Sequence, residues 1–227
     1  MIRTFKSRMG ILPLAQQRLW PMLRPATSFG LVLYGGTAVA LRLGHRQSVD
    51  FDFFTDRPLD KNAMKAAFPF LDGATVLQEQ PECLTVQVSG GMNQDEHVKV
   101  SFFGTVSMGR VGEPEITEDG VLQVASLDDL MATKVKVVLQ RIEAKDYQDI
   151  AALIRANVNL AKGIAAARAM YGNDFQPSEA LKALVYFEGG DLHSLSLADQ
   201  ETLIRAVIAV SDLPSAAIAS RVLAMEA

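Results

Sequence analysis

The period of the apolar pattern changes near residue 125, and that change limits the folds open to this chain. Before it, residues 29–34, 49–54, 75–78, 84–88 and 97–103 read as strands separated by turn signals such as Ser89-Gly90-Gly91, with one short helix at 14–23. After it, alanine and leucine recur at helical spacing near 126–143, 146–155, 158–171, 177–187, 196–210 and 214–225. Ser126 followed by Asp129 approximates a capping box, and Pro177 and Gly189-Gly190 separate helices. An α+β fold is expected, with a mixed sheet in residues 1–125 and an all-helical half in 126–227. No low-complexity linker marks the boundary, which leaves a shared core open.

Inside the sheet half, the stretch VDFDFF at 49–54 carries two carboxylates on a strand otherwise built for burial. Side chains alternate across a strand, so Asp50 and Asp52 share one face, with Cα atoms roughly 6.6 to 7 Å apart, while Val49, Phe51 and Phe53 point to the core. Such a pair can converge on hard cations, or it is the acidic outer face of an ordinary half-exposed strand. Aspartate is depleted in strands and like charges on one face repel, so the pair needs a compensating reason to be there.

Upstream, Gly35-Gly36-Thr37 follows a strand and opens AVALRL, about two helical turns closed by Gly44. Glycines let a phosphate approach the backbone, and the first-turn N–H groups and the Thr37 hydroxyl can donate to it. The plainer alternative is a tight turn with Thr37 as N-cap. In the loop that follows, His45 reads as a structural hydrogen-bonder, whereas the Arg46 guanidinium suits either a phosphate or a neighbouring aspartate.

The helical half opens on SLDDLMATKVKVVLQRIEAKDYQDI, where Leu127, Leu130, Met131, Val138 and Ile142 form an apolar row containing Lys134. If the helix is continuous, Arg141 and Lys145 fall near the same stripe. Lys134 then either faces an anionic site or snorkels at the core edge. Asp146 and Asp149, three residues apart, share a helix face.

Composition narrows the partners. Lys and Arg total 22 against 26 Asp and Glu, a formal charge of -4, so no global basic field announces a nucleic-acid binder. A lone Cys83 and three histidines without a CxxC exclude an internal disulfide and a recognisable zinc framework, which fits a reducing compartment. The basic amino terminus has no signal-peptide pattern and no later window has membrane-span length, so a soluble cytoplasmic protein is expected.

The order G-G-T, twelve residues, then D-F-D-F, with HRQS just before the carboxylates, resembles the DNA polymerase β-type nucleotidyltransferases, and within them the AbiEii/AbiGii toxin type. Lys134, Arg141 and Lys145-Asp146-Tyr147-Gln148-Asp149 match that type's helical element in order. The resemblance implies a nucleotidyltransferase core at 1–125 and a helical domain at 126–227 contributing to the active-site cleft. It further implies that Gly35, Gly36, Thr37, Arg46, Lys134 and Arg141 hold the nucleotide, that Asp50 and Asp52 bind Mg2+, and that Lys134 and Asp146 act in catalysis. The implied reaction transfers a nucleotide from an NTP to an RNA 3′ end, tRNA foremost, by a toxin paired with an antitoxin. A protein hydroxyl as acceptor, or a degraded binding module, are the alternatives.

One departure stands out. Where many relatives place a third carboxylate on a later strand, HVKVSFFG offers Ser101. The third group is then absent, supplied by nearby Asp95 or Glu96, or not required.

Overall fold

The computed structural model describes residues 3–89 and 97–225; Asp95, Glu96 and the turn signal at 90–91 lie outside them. The described chain divides into two units. The first comprises the residues up to Gly109, Glu113–Ala125 and those from Arg221 on; the second comprises Arg110–Gly112 and Ser126–Ser220.

The first unit is built on one mixed sheet. Its strands are β1 (Thr4–Phe5), β2 (Val32–Tyr34), β3 (Asp50–Phe54), β4 (Thr75–Gln80), β5 (Cys83–Ser89), β6 (His97–Phe103), β7 (Glu115–Thr117) and β8 (Gln123–Val124). The spatial order is β1-β7-β8-β2-β3-β6-β5-β4, which puts β3 near the centre, antiparallel to β2 and parallel to β6. Among the described residues three short α-helices accompany it, α1 (Leu14–Leu19), α2 (Gly35–Leu43) and α3 (Lys61–Ala67), together with 3-10 turns of which Trp20–Phe29 is the longest. Asp60 caps α3 by accepting from the Ala63 N–H at 2.9 Å.

Strand β3 alternates as its sequence requires. Phe51 and Phe53 are fully buried, and Phe53 stacks on Phe102 of β6 with ring centroids 5.5 Å apart. Trp20 and Phe68 close the same layer against Phe51 and Phe102. Each buried phenylalanine contributes about 1.5–3 kcal/mol relative to exposure, so this aromatic layer fixes the register that decides where the aspartates point. Val49, expected on the core face, precedes the strand and is exposed.

The second unit holds α4 (Leu127–Val137), α5 (Ala144–Arg155), α6 (Leu160–Tyr171), α7 (Pro177–Ala183) and α8 (Leu197–Ile208). Two expectations are corrected here. The helix expected over 126–143 stops at Val137, so Arg141 lies in a loop and the continuous cationic stripe is not formed. The Ala144 N–H at the start of α5 is taken by the Asp191 carboxylate at 2.6 Å, and a side chain at Gly190 would collide with the Ile142 carbonyl. A distant cap and a close backbone approach thus hold the break. The helix expected over 214–225 is also absent. Pro214 disfavours the helical conformation in Leu213, and the backbone at Ala219 and Ser220 bonds to Arg110 instead.

The N-cap of α4 forms as the Ser126–Asp129 spacing suggests: the Ser126 hydroxyl accepts from the Asp129 N–H at 3.0 Å. The Asp129 carboxylate accepts from the Val111 and Gly112 N–H groups at 2.8 and 3.1 Å, tying Arg110–Gly112 into the helical unit. Among the described residues no helix is long and apolar enough to cross a membrane.

Candidate active site

Register places the polar face of the sheet residue by residue. Asp50 stands beside Lys99 and Asp52 beside Ser101 on β6; across the antiparallel β5, Gln87 and Thr85 extend the same two rows. Tyr34 of β2 pairs with Asp52. Along β3 this face passes from two carboxylates to Phe54, whose ring meets Tyr34 and Phe103. Ser101, where a third carboxylate would be looked for by the family resemblance, is buried beside Asp52.

The glycine turn is the first turn of α2 itself. Tyr34 is the N-cap and supplies no side-chain hydrogen bond, so the opening N–H groups are not capped by it. Gly35 has a φ of +75°, and a Cβ there would stand 2.7 Å from Asp52 Oδ2. At Gly36 a Cβ would stand 2.5 Å from Arg46 Nη2 and 3.1 Å from Ser48 Oγ. The two glycines therefore let the helix start lie directly against Asp52 and the Arg46 guanidinium. Arg46 also donates to the Gln47 carbonyl at 2.8 Å, holding its loop.

Thr37 takes a different place from either of its expected ones. It is buried, its hydroxyl donates to the Asp50 carbonyl, and it accepts from Ser48 Oγ at 2.9 Å. A hydroxyl has one proton to give, so here Thr37 ties the helix start to the strand.

A divalent cation fits this face. Asp50 and Asp52 lie two residues apart on one strand face, and the Gly35 backbone lies directly against the Asp52 carboxylate because residue 35 has no side chain. A small hard cation held by two carboxylates takes its other ligands from substrate phosphates and water. Among the described residues no group of three or more His, Cys, Asp or Glu gathers for a metal. Sequence reasoning passed over Lys99, whose Nζ lies 3.0 Å from Asp50 Oδ2. The signal was present: Lys99 is two residues before Ser101, hence on the same strand face.

The helical unit gathers the other expected residues. Lys134 on α4 is only 4% exposed, and its ammonium donates to Asp146 at 2.7 Å and lies 2.5 Å from Asp149. Arg141 donates to both Asp146 oxygens, at 2.8 and 3.2 Å, while its own side chain remains 46% exposed. Burial pushes the Asp146 carboxyl up, but the Arg141 hydrogen bonds and the Lys134 charge outweigh it and hold the group below its ordinary value. Two carboxylates and two cations balance, so the cluster carries no net charge. Arg141 also borders a cavity of about 640 Å3 with Val138, Ile142, Lys182 and Tyr186.

Comparison with known proteins gives a consistent answer. Residues 24–210 match the family model described as the nucleotidyl transferase AbiEii toxin of type IV toxin–antitoxin systems. An uncharacterized protein of Aquifex aeolicus (strain VF5) is 32% identical over 160 residues, 69% of this chain and 73% of that protein. Among solved structures, the nucleotidyltransferase toxin MenT4 of Mycobacterium tuberculosis H37Rv is similar with a TM-score of 0.57 at 15% identity, covering 86% of this chain and 82% of that one. An antigenic nucleotidyltransferase-like protein from Paracoccidioides brasiliensis is similar with a TM-score of 0.53 at 13% identity, covering 88% and 94%. At such identities these structures attest the fold. Membership of the matched family implies an NTP substrate, a divalent metal and an antitoxin partner. The chain belongs to the AbiEii nucleotidyltransferase toxin family and is a nucleotidyltransferase enzyme.

Proposed function

We propose that the protein transfers a nucleotide from an NTP, with Mg2+ as the metal, to the hydroxyl at the 3′ end of an RNA, tRNA foremost, and that this transfer is its toxic activity. The observation that carries the metal-nucleotide half is the contact of the α2 start with Asp52: N–H groups that the Tyr34 side chain does not cap open the helix, and Gly35 lies against the Asp52 carboxylate. Polyphosphate would rest on the N–H groups of Gly35 and Gly36, where the helix dipole favours negative charge. Asp50 and Asp52 would hold Mg2+. When bound, the ion supplies Lewis-acid polarisation of the phosphoryl oxygens. Arg46, beside Gly36, offers a guanidinium to the same phosphates.

The reaction balances simply. The acceptor oxygen bonds to the α-phosphorus, the bond from that phosphorus to the bridging oxygen breaks, pyrophosphate leaves, and the acceptor proton passes to water. In the helical unit, Asp146 orients the half-exposed Arg141, which would contact a ligand phosphate, while Lys134 serves as the buried counter-charge of Asp146 and Asp149. The RNA acceptor rests on the family resemblance.

The test is incubation of the protein with labelled NTPs, Mg2+ and total tRNA or lysate, beside an Asp50→Ala control. Label in RNA that the control lacks supports the reading. Label in protein replaces the acceptor, and no transfer with undiminished nucleotide binding sinks it.

A further inference from the structure

Helix α8 turns a second apolar face away from the core. Leu203 is fully buried and Asp199 meets Arg155 of α5 at 2.6 Å, so these residues mark the packed side of the helix. At 3.6 residues per turn, Leu197, Glu201, Ile204 and Ile208 fall within an arc of about 60° on the opposite side. Leu197 and Ile208 are 76% and 77% exposed, the most of any large apolar side chain among the described residues, and Ile204 is 38% exposed. Apolar side chains exposed singly are ordinary, but a row aligned over about three turns calls for a surface to cover it.

Two features of the row identify that surface as the same helix on a second copy. The first is its spacing. The intervals from Leu197 to Ile208 are four, three and four residues, the repeat by which paired helices interlock, and they read the same in either direction. A two-fold axis midway between Thr202 and Leu203 therefore sets Leu197 against Ile208 of the other copy at both ends of the contact. The second feature is charge. Glu201 and Arg205 pair within one chain at 2.8 Å, with side chains 65% and 76% exposed. The same two-fold operation brings Glu201 beside Arg205 of the other copy, offset by one residue, about 1.5 Å along the helix. Both lie on the same flank of the row, so opposite signs meet twice around the axis and no like charges are forced together. The face is complementary to itself in shape period and in charge.

We propose that α8 is a self-association face, on which two copies of this chain pair their α8 helices antiparallel about a two-fold axis. One helix of three turns from each copy makes an interface at the small end of the specific range, so the dissociation constant should be on the order of 10 μM.

Sedimentation of the full chain from about 1 to 300 μM tests this. The wild type is expected to pass from monomer to dimer across that range, with dimerisation weakening as salt is raised. Ile208→Asp should weaken it at least about tenfold, because a charge is then buried against Leu197 of the other copy. Glu201→Arg leaves only cations at the axis and Arg205→Glu only carboxylates, so each protein alone should stay monomeric. Mixed in equal amounts, those two variants should form a dimer containing one copy of each. Circular dichroism melts report the folding of every variant separately.

A wild type that remains monomeric at the highest concentration would overturn the proposal and leave the row to a different partner. A dimer that persists in folded Ile208→Asp would place self-association elsewhere on the molecule. Failure of the two folded charge variants to pair on mixing would show that opposite signs do not meet across the axis, which also overturns it.

Discussion

The molecule contains two pairs of aspartates that use the same chemistry for opposite ends. Asp50 and Asp52, two apart on a strand, face outward with Lys99 as a cation on the neighbouring strand. Asp146 and Asp149, three apart on a helix, are fully buried and meet Lys134 and Arg141. The first pair sits on the half-exposed polar face of the sheet, where the proposed reading places the metal. In the second, neutralisation is complete, and its cost is desolvation that only internal partners can offset.

The largest effect should come from unbalancing the buried pair. Lys134→Met leaves two buried carboxylates short of a partner and is expected to cost about 3–5 kcal/mol in denaturant unfolding; a cost under about 1 kcal/mol would show that the interior cluster is not structural. The outward pair should respond in activity instead. Asp50→Asn is expected to lower nucleotide transfer at least about 100-fold, since even outer partners of a metal ligand are worth 10–100-fold, with little change in melting temperature. Matching losses of stability in the two variants would erase the contrast.

Gly35→Ala sharpens it. A φ of +75° and a Cβ 2.7 Å from Asp52 Oδ2 predict about 1–3 kcal/mol of destabilisation together with weakened metal binding. Gly36→Ala should cost less, because the atom it meets is the mobile end of Arg46. The smallest expected effect is on acid stability. Asp146 is held below its ordinary value of 3.8, so its contribution is present above that pH and is lost as pH falls through the depressed value. Melting temperatures from neutral to acid pH should fall less steeply for Asp146→Asn than for the wild type. An equal slope would assign the acid loss to other groups.

Much of the outward site could be read from the sequence, because alternation is local: it put Asp50 and Asp52 on one face, and the β3–β6 register sets Ser101 next to Asp52. The same rule would have selected Lys99 had it been applied to β6 as strictly as to β3. The interior cluster was less legible. Its residues were singled out, but the break between α4 and α5 depends on Asp191 and Gly190, nearly fifty positions downstream. Strands of two or three residues, such as β1, β7 and β8, are too short to show a period, and the extended tail after Pro214 follows from pairing with Arg110 that no local propensity encodes.

The interleaving of the two units governs how this protein can be made and divided. The Leu223 N–H donates to Asp56 and the Met225 N–H to Gln123, across 167 and 102 positions, while Asp129 accepts from Val111 and Gly112. During translation the sheet unit waits for its last hydrogen bonds until the whole helical segment has been synthesised. A recombination event or engineered cut at residue 125 would strip each unit of hydrogen-bond partners encoded on the other side.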